Sequence, residues 1–264
     1  LAITAYKTGS YTNRLVYDLP STADIKRFMR VWQRMARSHP ILRTRIVPSG
    51  GGAVQVVVDD DLEWTRSNGK GTLANYLEED ETIRFSPGSP LARYALARET
   101  TTSSWTFVWT VHHAIYDGWT MKLLLEDMEK RYHQQQAITT TPYNHFIRHL
   151  ASVDHRAAHD FWSAQLGGEG EAPSDFPALP NANYKPQPSS ELNREILASI
   201  DQKTLRSLGV PLPSILRAVW GLVLASHLGS EDVLFAMVLA GRSAPVQGMT
   251  GIVGPTITTV PMRM

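Results

Sequence analysis

The 264-residue chain contains no cysteine. That excludes disulfide frameworks, thiolate nucleophiles and cysteine-ligated zinc together. It also has no Asn-x-Ser/Thr acceptor site, and a reducing, cytoplasmic setting fits both absences. Neither sign of charge is in excess: 26 Lys and Arg against 25 Asp and Glu leave a formal charge of +1. With no polybasic run, a nucleic-acid partner or an anionic membrane surface has no electrostatic support. Long hydrophobic runs are missing as well. Apolar stretches such as Ala218 to Ala225 fall far short of the roughly 20 residues of a membrane span. No signal-peptide pattern opens the chain.

Apolar residues make up 42%, enough for a sizeable core and too many for a disordered chain. The length fits one or two domains. The chain starts at Leu1 on residues that read as mid-domain and stops at Met264 after a strand-like run, so both ends are expected to be cuts from something longer.

Ser21-Thr22-Ala23-Asp24 reads as a capping box. Behind it Ile25, Phe28, Met29, Trp32, Met35 and Ala36 recur at helical spacing, and Pro40 ends the helix. A second helix is expected over about 119–135, with Glu126–Lys130 and Asp127–Arg131 as i,i+4 pairs on its polar side. A third spans about 153–166, and a shorter one starts at Thr141-Pro142. Strand candidates lie at 14–19, 43–47, 54–58, 91–98 and 104–112. In the last, Trp105, Phe107, Trp109 and Val111 alternate with Thr106, Val108 and Thr110. Gly, Pro, Asn and Ser dominate from 167 to 190, the composition of a linker. Beyond it come a strand at 191–200, a buried helix at 214–228, a fully apolar strand at 233–239 and another at 252–260. The expected architecture is α/β or α+β in layers. A first lobe covers 1–168, a linker 169–185, and the start of a second lobe 186–264.

The densest polar cluster is Val111-His112-His113-Ala114-Ile115-Tyr116-Asp117-Gly118-Trp119, at the end of the aromatic strand. Histidine is the side chain best suited to move a proton near neutral pH, and a carboxylate four residues later can orient an imidazole. Pattern alone leaves two readings side by side: a catalytic histidine, or a buried, hydrogen-bonded His–Asp turn. Elsewhere His145/His149 and His155/His159 have zinc-binding spacing, but Phe146 and Arg156 stand where a metalloprotease needs Glu. His155 and His159 share the polar side of the third helix with Arg156 and Asp160 and read as a solvated face, and no metal is expected. Trp105 and Trp109 read as core, and Gly241-Arg242-Ser243 as structural.

Four segments in order resemble the condensation domains of nonribosomal peptide synthetases, with fungal wording in the last. His112-His113-Ala114-Ile115-Tyr116-Asp117-Gly118 matches their HHxxxDG signature. Arg37-Ser38-His39-Pro40-Ile41-Leu42-Arg43-Thr44-Arg45 resembles "RHxxLRTxF", and Phe161-Trp162 with Leu166 resembles "YWxxxL". Val253 to Arg263 resembles "VGxFxNTxPxR". HxxxDG alone also occurs in other relatives of chloramphenicol acetyltransferase.

The resemblance implies a chloramphenicol acetyltransferase-like fold of two similar lobes with a tunnel between them. It also implies amide-bond formation between a donor acyl or peptidyl thioester and an acceptor aminoacyl thioester, each on a carrier protein's phosphopantetheine arm. An adenylation domain is an expected neighbour in the same polypeptide. His113 is then the catalytic histidine, as general base or by aligning the amine, and His112 supports the loop. Asp117 pairs with Arg43 and shapes the loop, and Gly118 leaves room for the arms. The family's motif departs at Thr256 and Thr258, which carry no role over, and at Tyr143-Asn144-His145-Phe146, which lacks an Asp. The alternatives are a terminal cyclising domain, disfavoured by His112, and a truncated, non-catalytic module that docks carriers.

Overall fold

The computed structural model describes residues 10–50, 52–69, 71–98, 104–167, 190–195 and 209–264, with isolated positions between 176 and 207. In chain order the elements are β1 (Thr12–Leu19), α1 (Ile25–Ser38), β2 (Thr44–Ser49), β3 (Gly52–Val57), β4 (Trp64–Asn68), α2 (Thr72–Thr82), β5 (Ala92–Arg98) and β6 (Trp105–His112). They continue with α3 (Gly118–Tyr132), α4 (Asn144–Ala151), α5 (His155–Leu166), α6 (Leu212–Leu228), β7 (Leu234–Leu239) and β8 (Thr258–Arg263). Two compact units result: Leu1–Val153 with Ala240–Thr258, and Asp154–Leu239 with Thr259–Met264. In contrast to the contiguous lobes read from composition, 240–258 packs within the first unit and α5 within the second. The 169–185 linker lies largely outside the described residues.

The first unit is built on a sheet of order β1-β6-β5-β4, antiparallel except for the β4–β5 pair. Strand β6 alternates aromatic and Thr/Val residues, yet nearly every position is buried, because both faces of the sheet are covered. On the aromatic face α1 lays Phe28 and Trp32 against Phe107 and Trp109, with ring centroids 5.0 Å apart for both Phe28–Phe107 and Trp32–Trp109. Edge-on aromatic pairs of this kind add about 0.5–1.5 kcal/mol each to the burial itself. On the other face α2 packs Tyr76 against Ala95 and Val108. The sequence reading missed α2: it starts after Gly71 with no side-chain cap, and its short apolar set, Leu73, Tyr76 and Leu77, shares its face with Asp80. Strand β4 escaped as well.

Helix α1 is capped by Asp24, whose Oδ1 accepts the Arg27 amide at 2.9 Å, rather than by Ser21. A turn closed by Ala23 N–H to the Pro20 carbonyl brings the chain in so that Asp24 is the last extended residue. Helix α3 packs on α1, and the buried His39 at the C-cap of α1 contacts Asp127 of α3 at 2.6 Å.

In the second unit α6 departs from expectation. It covers the predicted span, but only Gly221 and Leu224 are buried, and Leu222 is 71% exposed. β7 pairs with β8, and Arg263 reaches Asp232 at 2.6 Å. The strand expected at 252–260 begins only at Thr258, and the backbone of Gly254 and Thr256 bonds to Thr120, Arg242 and Asp117 instead of to a strand. Residues 191–195 are not strand, and 196–200 lie outside the described residues. Among the described residues, no helix is long and apolar enough to cross a membrane.

Candidate active site

Strand β6 ends at His112, and the four residues His113 to Tyr116 carry the chain to Asp117, the N-cap of α3. His112 is buried, and its Nδ1 accepts the Ala114 amide at 3.0 Å, which closes the turn from inside. Burial is the largest cause that pushes its pKa down to about 4, so the ring is neutral at pH 7. His113 is half-buried. Its amide donates to the Tyr11 carbonyl at 2.7 Å, one step past the Thr12–His112 pairing, so the β1 edge grips its backbone. Its ring stacks on Tyr116 at 4.7 Å and meets the Tyr11 ring edge-on at 6.5 Å.

Asp117 is fully buried and its carboxylate is saturated with donors. Oδ1 takes the Thr120 amide at 2.7 Å, Oδ2 takes the Thr256 amide at 2.8 Å, and Arg242 Nη2 lies 3.0 Å from both oxygens. Burial works to raise its pKa, but the Thr256 and Thr120 amides and Arg242 outweigh it and hold the carboxyl below its usual range. Arg242 is itself enclosed, with a side chain 6% exposed, and donates to the Ile252 and Gly254 carbonyls at 2.6 and 2.9 Å. Thr120 Oγ1 donates to the Gly254 carbonyl at 2.7 Å and accepts the Gly254 amide at 3.1 Å. The first turn of α3 is thereby fastened to 240–258.

Two glycines make this junction possible. A Cβ on Gly254 would stand 2.2 Å from the Tyr143 ring, and one on Gly241 would stand 1.9 Å from the Thr256 carbonyl oxygen. Both also have positive φ.

The partner expected for Asp117, Arg43, is elsewhere. Its Nε donates to the Ala36 carbonyl at 2.9 Å, its Nη1 to the Val58 carbonyl, and Asp59 lies 3.6 Å away. Its guanidinium is engaged at the C-terminal end of α1, where unpaired carbonyls need donors, and the arginine that meets Asp117 is Arg242. Sequence reasoning read Arg242 as merely structural and gave Thr120 and Thr256 no role. The available signal was Gly241-Arg242-Ser243 directly after an apolar strand. Gly118 opens α3 with an ordinary φ, and a Cβ there would meet nothing within 4 Å. The turn therefore does not require glycine, although the space beside it is open. Among the described residues, no group of three His, Asp or Glu is placed to hold a metal.

A family model described as "Condensation domain" matches residues 3–264. The chain is 40% identical over 265 residues to the nonribosomal peptide synthetase ecdA of Aspergillus rugulosus, and 38% identical over 267 residues to the synthetase gloA of Glarea lozoyensis. Each comparison covers all of this chain and 4% of the relative. Among solved structures, the condensation domain of the monacolin K polyketide synthase MokA is similar with a TM-score of 0.72 at 16% identity. The epimerization domain of tyrocidine synthetase B is similar with a TM-score of 0.70 at 17% identity. Both cover 96% of this chain, which spans 62% and 63% of theirs, and both show its chloramphenicol acetyltransferase-like fold. The sequence segments, the histidine loop and the match along residues 3–264 agree: the chain belongs to the condensation-domain family of fungal nonribosomal peptide synthetases.

Proposed function

We propose that this chain forms an amide bond between a donor acyl or peptidyl thioester and the amine of an acceptor aminoacyl thioester, with His113 as the catalytic residue. The amine nitrogen attacks the donor carbonyl carbon, the C–N bond forms, and the C–S bond breaks. The donor chain passes to the acceptor arm, and the departing thiolate takes the proton the amine gives up. His113 accepts the amine N–H in the attack, either carrying that proton or aligning the lone pair. Amines attack thioesters readily, so alignment alone supplies a large part of the acceleration. One observation carries the reading: a half-buried imidazole stands beyond the last residue of β6, on a loop whose far end is locked by Asp117.

Asp117 is a positioning residue here, since Arg242 and the Thr120 and Thr256 amides occupy its oxygens. His112 supports the turn through the Ala114 amide. Both substrates ride on phosphopantetheine arms of donor and acceptor peptidyl carrier proteins, with an adenylation domain as neighbour and a cytoplasmic setting.

A single-turnover assay in the native polypeptide, with a loaded donor carrier and a loaded acceptor carrier, tests this. Product from wild type and a loss of about a hundredfold or more in His113→Ala is the expected result. Unchanged product in His113→Ala would remove the assignment and leave the carrier-docking reading standing.

A further inference from the structure

The reading above leaves one question about His113 open: what fixes its ring. A histidine's second torsion is soft, so an imidazole that must meet an amine at a set angle needs an external hold. A carboxylate usually provides it through the second ring nitrogen. Here the carboxylate four residues on, Asp117, is fully engaged by other donors. Among the described residues, no hydrogen bond reaches the His113 ring. What does reach it is aromatic. The Tyr116 ring lies against the imidazole at 4.7 Å with the planes 23° apart, and the Tyr11 ring closes one side edge-on at 6.5 Å.

We infer that Tyr116 is a positioning residue for His113, its buried ring serving as the flat rest that sets the imidazole's orientation toward the acceptor amine. The placement follows from the loop. Ile115 is driven into the core and Asp117 is pinned at the α3 N-cap, which leaves Tyr116 between two anchors, itself only 6% exposed. Burial pushes its phenol up from the usual value, with a hydrogen bond involving the Asn13 side chain working the other way, so the ring stays neutral. A neutral, fixed ring can stack on imidazole in either protonation state. Tyr11 completes the hold from the backbone: at φ +58° the chain turns so that its carbonyl accepts the His113 amide. Side chain and main chain of the histidine are thus held by two different tyrosines, one from its own loop and one from the start of β1.

This inference rests on His113 being the catalytic residue, and the experiment separates the two. In the single-turnover assay Tyr116→Phe keeps the flat ring and should stay within about twofold of wild type. Tyr116→Leu has similar bulk without the flat face and should lose about ten- to a hundredfold in rate, with the half-saturating concentrations of both loaded carriers within about twofold. NMR of the chain labelled at histidine gives the second readout. The His113 ring resonance, identified by its loss in His113→Ala, should be displaced by the Tyr116 ring current, show contacts to Tyr116 ring protons, and keep that shift in Tyr116→Phe. Those contacts are read on wild type, so a Tyr116→Leu protein that fails to fold does not remove the test. Missing contacts in wild type, or full activity in Tyr116→Leu while His113→Ala is dead, would overturn the inference and leave the catalytic assignment intact. Full activity in His113→Ala overturns both.

Discussion

Asp80 and Asp117 are both buried carboxylates held by arginine, and the difference between them lies in what surrounds the arginine. Asp80, on α2, takes Arg14 Nε at 2.9 Å, Arg93 Nε at 2.7 Å and the Thr110 hydroxyl at 2.8 Å, and so ties β1, β5 and β6 across the face of the sheet away from α1. Its two arginines keep side-chain exposures of 26% and 20%. Asp117 has one arginine, and that one is closed in by the carbonyls of 252 and 254. Both carboxyls are held below the usual range against the opposing pull of burial. Removing a charge from each should therefore cost different amounts, because the cost is set by the partner left behind. Arg14 and Arg93 can turn toward water; Arg242 cannot.

The largest expected effect is that of Asp117→Asn. It leaves a buried guanidinium without its counter-charge, and urea unfolding should show a loss of about 3–5 kcal/mol. Asp80→Asn should cost less, about 1–3 kcal/mol, as hydrogen bonds are weakened while both arginines find solvent. Activity per folded molecule should separate the pair further: unchanged for Asp80→Asn, and reduced for Asp117→Asn through the loop that carries His113. Equal stability losses would mean that Arg242 relaxes as freely as Arg14. Arg43→Ala is the control, since it should leave that loop alone.

A smaller effect comes from the other end of the loop, with the same sign in pH but at a higher pH window. An unfolded histidine binds its proton near pH 6.5, whereas folded His112 does so only near pH 4. Between those values the unfolded state holds more protons, so stability falls as pH drops through that window and levels off below it. The accumulated loss is about 3 kcal/mol at most. His112→Gln should flatten that slope between pH 6.5 and 4. The Asp117 carboxyl, shifted downward, shows its own loss only at lower pH, below the unfolded aspartate value of about 3.9. Denaturant unfolding at half-unit pH steps resolves the two, and an unchanged slope in His112→Gln would assign the proton uptake to another group.

The sequence was most informative where chemistry repeats at short range. β6 was legible because Trp105, Phe107, Trp109 and Val111 alternate, and α1 because Phe28, Trp32 and Met35 recur at helical spacing. The ordered motifs located the His113 loop. What it could not supply were pairings across long separations. Arg242 and Asp117 are 125 residues apart, and nothing in the local pattern around either residue names the other. Helix α2 stayed hidden because Thr72, Tyr76 and Asp80 bury a mixed face, with an acid as its central contact. Helix α6 misled for the converse reason. A run of Val, Leu and Trp reads as buried, but burial depends on what packs against it, and here only Gly221 and Leu224 find cover.

Glycines offer the finest test of the contrast between the locked junction and the open side of the loop. Gly254 takes φ +156° and has the Tyr143 ring where a Cβ would go, so Gly254→Ala must displace Tyr143 or the segment that carries Arg242. Gly118 looks equally fixed in the motif, yet its φ is ordinary and the space beside it is empty. At the first position of a helix, alanine costs the folded state nothing sterically and narrows the unfolded ensemble. Gly118→Ala should therefore leave stability within about 0.5 kcal/mol of wild type or raise it slightly. A fall of more than about 1 kcal/mol would show that the backbone turn does need glycine. With stability held, any drop in single-turnover rate reports crowding of the open space by the added methyl.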